Sequence, residues 1–257
     1  MTILFNDIVF GPVKSRRFGV SLGVNLLPAD YKYCTFDCIY CECGWSKQQE
    51  KKSKLPSRQS VYDALETRLI HMIKKGEKPD NLTFAGNGEP TIHPEFAGII
   101  DDTIKLRNKY VRSAEVTVLS NSSLLHKSTV FDALNKVDNN VLKLDSAVEK
   151  TFRLINRPPA GLSLQSIIEN ISRFNGNQVI QTLFMRGEVN GGFIDNTTHA
   201  EVEEWINVLI EIQPKYVMIY PIERDTAARG IEKIPLEELA LIAKKVNNKG
   251  IQTKVYG

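Results

Sequence analysis

NLTFAGNGEPTIHPEFAGIIDDTIKLRNKYVRSAEVTVLS, Asn81 to Ser120, reads as strand, helix and strand. NLTFAG (Asn81 to Gly86) is a short apolar run closed by glycine, and VTVLS (Val116 to Ser120) is apolar and β-branched. Between them Phe96, Ile99, Ile100 and Ile104 recur at helical spacing. The same unit repeats in both directions. Upstream, FGVSLGVNLL (Phe18 to Leu27) is a buried strand after a hairpin-like N-terminal segment. Ser60 and Asp63 give a cap-like start to a helix whose stripe is Val61, Leu65, Leu69 and Met72 and which runs to Gly76. Downstream, a helix carrying Val130, Leu134 and Val137 leads to VLKLD (Val141 to Asp145). Leu164, Ile167, Ile168 and Ile171 stripe a helix ending near Gly176, and VIQTLFM (Val179 to Met185) is a fifth strand. Thr198 and Glu201 form a capping box ahead of Val202, Trp205, Ile206, Leu209 and Ile210. KYVMIY (Lys215 to Tyr220) is the sixth strand, and a last helix starts near Pro235.

Strands alternating with helices predict a parallel sheet with right-handed crossovers. Six units suit a partial (β/α)6 TIM-like barrel, with a doubly wound open sheet as the alternative; in both, chemistry sits at the C-terminal ends of the strands. Residues 1–257 are expected to form one α/β domain, with a short N-terminal extension over about 1–16 and a cysteine-bearing loop over 28–45. With 42% hydrophobic and 25% charged residues, the composition is that of a globular domain. A formal charge of +3 does not by itself point to nucleic acid or to a membrane surface. The N-terminus lacks a leader pattern and no window is apolar for long enough to span a bilayer, so the expectation is a cytoplasmic protein without a membrane partner.

All four cysteines fall in YCTFDCIYCECG, at Cys34, Cys38, Cys41 and Cys43. They cannot staple distant parts of a fold, so local clustering reads as a metal site. A four-iron cubane takes one ligand per iron, and three thiolates from one tight loop leave one iron open. Structural zinc, the alternative, wants a closed set of four ligands usually drawn from two places, and no second cysteine pair exists. Cys43 is read as a non-ligand, since a C-x-C step turns neighbouring side chains apart. His71, His93, His126 and His199 are scattered and are assigned no metal role. There is no P-loop, G-x-S-x-G elbow or H-E-x-x-H.

The C-x3-C-x2-C spacing, with Tyr40 just before the last cysteine, resembles the signature of the radical SAM superfamily. The resemblance implies one [4Fe-4S] cluster on Cys34, Cys38 and Cys41, with S-adenosylmethionine on the free iron cleaved reductively to a 5′-deoxyadenosyl radical. It implies an external one-electron donor such as flavodoxin or ferredoxin. Gly86, Asn87, Gly88, Glu89 and Pro90 resemble the superfamily's GGEP motif, which binds the methionine amino group; an ammonium needs carbonyls and a carboxylate nearby. Ser120, Asn121, Lys143 and Asp145 end apolar runs where related enzymes contact the ribose hydroxyls and the methionine carboxylate, and Arg186 follows the fifth strand in the same way. A closer resemblance covers most of the chain, through GPVKSRRFGVSLGVNLLP and LKLDSAVEKTFRLINRPPAGLSLQSIIENISRF, to small stand-alone radical SAM proteins grouped with wyosine-type tRNA synthetases. The chain departs from a wyosine synthetase in having no cysteine before Cys34, hence no second cluster.

That grouping brings in RNA as a substrate class. Arg16 and Arg17 precede the cysteine loop and Lys51, Lys52 and Lys54 follow it, a basic rim able to neutralise phosphates. A solvated lysine-rich loop is the plainer reading of the same charges. A protein or peptide substrate is the alternative enzyme class, and a non-catalytic iron-sulfur electron carrier is a third reading.

Overall fold

In the computed structural model, which describes residues 3–46 and 53–257, the opening stretch becomes β3 (Asn81–Phe84), a single 3-10 turn (Pro90–Ile92), α2 (Phe96–Tyr110) and β4 (Glu115–Ser120). Before it lie β1 (Val9–Ser15), β2 (Gly19–Val24) and α1 (Arg58–Lys74). After it follow α3 (Ser128–Leu134), β5 (Asn139–Lys143), α4 (Glu149–Asn156), α5 (Leu164–Ser172) and β6 (Gln178–Leu183). The chain then forms β7 (Met185–Val189), β8 (Gly192–Asp195), α6 (His199–Ile212), β9 (Tyr216–Tyr220), β10 (Ile231–Lys233), α7 (Leu236–Asn247) and β11 (Thr253–Val255).

Among the described residues, eight strands form one curled sheet in the order β1-β2-β3-β4-β5-β6-β9-β11. From β2 to β11 every neighbour is parallel, and β1 pairs antiparallel with β2. This is the partial barrel expected from the strand-helix alternation, with all six expected strands present. β11 is an added parallel strand, and β10-β7-β8 form a small antiparallel sheet beside the barrel.

Several local readings differ from the sequence expectation. α1 is capped by Ser57, whose side chain accepts from Ser60 N, so the helix starts earlier than Ser60. α3 ends at Leu134, leaving Val137 buried just beyond it. Thr198 caps α6, but the Glu201 carboxylate accepts from Ser146 and Thr151 hydroxyls (2.7 and 2.5 Å) rather than closing the box. The run expected as one strand over Val179 to Met185 breaks at Phe184. There Asn196 accepts from Met185 N (2.8 Å) and donates to the carbonyls of Leu183 (2.9 Å) and Asp145 (2.8 Å), sending the chain into β7. α4 was not expected.

Strand alternation gives the sheet two unlike faces. The outer face presents Leu22, Val24, Leu82, Phe84, Val116, Val118, Leu142, Ile180, Val217 and Ile219, all buried in one cluster with the helix residues Val61, Leu65, Ile99, Ile167 and Leu209. The concave inner face carries a polar network across β2, β3 and β4. Ser21 and Thr83 share a hydroxyl hydrogen bond (2.7 Å), Thr83 donates to Asn81 Oδ1 (2.9 Å), and Asn81 donates to Thr117 Oγ1 (2.8 Å). Farther round, Val141, Val179 and Met218 form a separate small apolar cluster with Phe18, Leu119, Tyr216 and Tyr256.

Candidate functional site

The cysteine loop follows β2 and is fixed by backbone bonds to three neighbours. Tyr33 N donates to Asn87 O (2.8 Å) and Glu89 N to Tyr33 O (3.1 Å), joining it to the turn after β3. Asp37 N and Ile39 N donate to Asn156 O (3.1 Å) and Ile155 O (2.9 Å), using carbonyls that the C-terminal turn of α4 leaves unpaired. Ala228 N donates to Ile39 O (2.8 Å). Phe36, buried edge-on against Phe152 of α4, and the fully buried Ile39 anchor the loop in the outer core.

The GNGEP turn is shaped by this docking. A Cβ on Gly88 would stand 2.0 Å from the Tyr33 carbonyl oxygen, and one on Gly86 2.4 Å from Asn25 Oδ1. Their φ angles of 143° and 155° are also ones that other residues rarely adopt. The glycines thus admit neighbouring protein chain. Asn87, fully buried, spends its side chain on Phe5 N, Phe5 O and Pro28 O. Glu89 is buried and holds Thr91 Oγ1 (2.6 Å), Ser120 Oγ (2.9 Å) and Asn121 N (2.6 Å), which binds the turn to the end of β4. Burial pushes the Glu89 carboxyl up, against the pull of these donors.

Around the sulfurs the structure gathers N–H donors and ammonium groups. Asn121 Nδ2 and Phe36 N donate to Cys34 Sγ (3.5 and 3.4 Å), and Asn156 Nδ2 donates to Cys38 Sγ (3.4 Å). Lys32, its side chain 1% exposed, pairs with Asp37 (2.8 Å) and donates to Gly44 O (3.2 Å). Burial works to lower the Lys32 pKa, but the field of Cys41, the Asp37 bond and the fields of Cys34 and Cys38 more than reverse it. Lys143 Nζ lies 4.8 Å from the Tyr40 ring centroid, bonds the Tyr40 hydroxyl and stands 3.7 Å from Asp145. Its pKa is also raised on balance, by Asp145 and then Cys38 against burial. Asp145 in turn accepts from the Tyr40 hydroxyl, Asn156 Nδ2 (2.6 Å) and Leu183 N (3.0 Å).

The thiols respond to these surroundings. Burial, then the charge of Glu89, pushes Cys34 up to about 12, and burial also raises Cys38. Cys41 is lowered to about 6, chiefly by a hydrogen bond from Cys43 and then by Lys32 against the cost of burial. Cys43 is raised by that same bond and by burial; its thiol also stands 3.5 Å from Gly86 O, and one S–H serves one acceptor at a time. Among the described residues, no three His, Cys, Asp or Glu side chains converge as a single-ion site. Three thiol donors, N–H groups aimed at two of the sulfurs, the buried Lys32 and the half-buried Lys143 form a donor set that fits an anionic iron-sulfur cluster.

Beside this set, a cavity of about 420 Å³ opens at the C-terminal ends of the strands. Of the residues predicted to contact a cofactor, Tyr40, Gly86 and Lys143 line it, with Cys41. Asn87, Gly88, Glu89, Pro90, Ser120, Asn121 and Asp145 do not line it, though Asp145 holds the Tyr40 hydroxyl. Arg186 is on β7, paired with Glu238, and does not line the cavity. Arg16 and Arg17 line it from the β1–β2 turn, whereas Lys54 is exposed and away from it, and Lys51 and Lys52 lie outside the described residues. Sequence reading missed Lys32 and Asn156. The only local signals were a lysine two positions before Cys34 and an asparagine ending a short stripe of Phe152 and Ile155.

No family model matches the chain. A UPF0026 protein of Helicobacter pylori is 35% identical over 184 residues, covering 70% of this chain and 57% of that protein. A UPF0026 protein of Methanocaldococcus jannaschii is 34% identical over 171 residues, covering 66% of this chain and 50% of its own length. The chain therefore spans little more than half the length of these curated relatives. Among solved structures, a radical SAM methyltransferase from Sphaerobacter thermophilus superposes with a TM-score of 0.68 at 14% identity, covering 92% of this chain and 65% of that one. Streptococcus suis SuiB bound to S-adenosylmethionine gives 0.62 at 16% identity, covering 88% and 49%. Archaeal TYW1 gives 0.53 at 14% identity, covering 89% and 71%. The chain thus resembles the radical SAM superfamily in fold as well as in motif. Among the described residues, no helix is long and apolar enough to cross a membrane.

Proposed function

We propose that the protein is a radical SAM enzyme that binds one [4Fe-4S] cluster through Cys34, Cys38 and Cys41. The carrying observation is the set of three thiols lying among two ammonium groups, Lys32 buried and Lys143 half-buried, and N–H donors at the strand-end mouth of a partial barrel. When bound, the cluster supplies one electron and an open iron for S-adenosylmethionine, whose sulfonium is cleaved to methionine and a 5′-deoxyadenosyl radical. Lys32 and Lys143 offset the negative charge of the thiolates. The Gly86 backbone, which lines the cavity, would offer its carbonyl to the cofactor's amino group, while Glu89 and Asn121 keep that turn against the cysteine loop. Tyr40, held between Lys143 and Asp145, presents the cysteine loop to the cavity.

The test is anaerobic reconstitution followed by reduction with dithionite in the presence of S-adenosylmethionine. The wild type should bind about four irons and release 5′-deoxyadenosine. Cys38→Ala should lose both, whereas Cys43→Ala should keep both. Normal cleavage by Cys38→Ala would sink the proposal.

A further inference from the structure

The cavity wall carries four cations, and their pairing is unequal. Arg16 pairs with Glu223 (3.4 Å) and Arg224 with Glu42 (2.7 Å), while Lys143 is engaged by Tyr40 and Asp145. Arg17 has no carboxylate within ion-pair distance among the described residues. It is held instead by Gln181 Oε1 (3.2 Å) and by the rings of Phe18 and Tyr220, whose centroids lie 5.5 and 5.1 Å from its guanidinium carbon. That uses one of its five N–H donors. Gln181, only 5% exposed, gives the same Oε1 to the Tyr220 hydroxyl (3.5 Å), and its amide hydrogens have no acceptor among the described residues. A half-buried guanidinium and a buried amide thus line one cavity with donors to spare. A charge withdrawn from water calls for a counter-ion, and the fork of an arginine matches the two oxygens of a carboxylate or phosphate.

We propose that Arg17, assisted by Gln181, is the receptor for an oxyanion, carboxylate or phosphate, carried by the substrate. The assignment rests on reading this cavity as the chamber where cofactor and substrate meet, and it makes the substrate an acid rather than a neutral or cationic molecule. The rival reading is mechanical, because Arg17 also ties the β1–β2 turn to β6 and β9 across the barrel. A brace would ignore added anions.

The experiment uses the full chain without its cluster, labelled with nitrogen-15 arginine. Sodium phosphate and, separately, sodium acetate are titrated at constant ionic strength set with chloride, and the Arg17 Nε resonance is followed. A saturable shift is expected with at least one of them, and the probe that saturates at lower concentration names the oxyanion. Arg17→Lys, which keeps the charge and loses the fork, should raise the half-saturating concentration roughly tenfold. Arg112→Gln, at an exposed position, should leave it unchanged. No saturable shift beyond that of chloride, or equal binding by Arg17→Lys, would overturn the receptor. Displacement of phosphate by S-adenosylmethionine alone would give the site to the cofactor's own carboxylate and end the inference while leaving the enzyme assignment intact. Anion binding in a protein that forms no 5′-deoxyadenosine would do the reverse.

Discussion

The two faces of the one curled sheet are both buried, yet they are built from different chemistry. On β4, Val116 and Val118 point outward into helix side chains, while Thr117 and Leu119 point inward, Thr117 into a hydroxyl and amide network and Leu119 toward the cavity. The outer face is held by apolar area removed from water, which is non-directional and large in sum. The inner face is held by paired polar groups, each of small net worth but costly when left without a partner. The difference teaches where a barrel of this kind keeps its stability and where it keeps its chemistry. Helices cover one face, and the other opens into the cavity at the strand ends.

Three substitutions test that contrast, each read from the urea unfolding midpoint. Phe84→Ala, on the outer face against Phe96, should cost the most, about 3–5 kcal/mol, because it removes a fully buried ring and leaves a cavity. A cost below about 1 kcal/mol would mean that the outer face is not the main source of stability. Thr117→Val on the inner face should cost about 1–2 kcal/mol, since the Asn81 amide loses its acceptor while Asn139 keeps Glu115 (2.8 Å). An effect as large as that of Phe84→Ala would erase the contrast. The smallest effect should be a gain. Asn140, on the outer face and paired in register with Gln178, has neither side-chain atom hydrogen-bonded among the described residues. Asn140→Leu should therefore stabilise by about 1 kcal/mol, and a loss would reveal a polar role on the apolar side.

How far the sequence could be read follows from the same contrast. The strands stand out as short, largely apolar runs, such as VTVLS and KYVMIY, that supply the outer face at alternate positions, and all six expected parallel strands are present. β11 (Thr253–Val255) and β10 (Ile231–Lys233) escaped notice because three-residue strands carry too little pattern to stand out. The break at Phe184 was invisible because Asn196, which causes it, lies eleven or more residues from the groups it bonds. In the site, the turn from Gly86 to Pro90 was legible as a unit, but the close approach of Tyr33 and Asn25 to its glycines was not, because only the fold brings those residues there.

The sequence by itself determined the strand-helix alternation, the three closely spaced thiols and the polar residues closing the apolar runs, because each is a matter of spacing along a few residues. Tertiary structure alone decided that Lys32 and Asn156 face those thiols, that Arg186 turns away to Glu238, and that Arg17 stands in the cavity wall with no carboxylate paired to it among the described residues. Charge compensation acts through space, and its partners here come from distant segments, Glu42 and Arg224 standing 182 residues apart, a separation that no local pattern encodes.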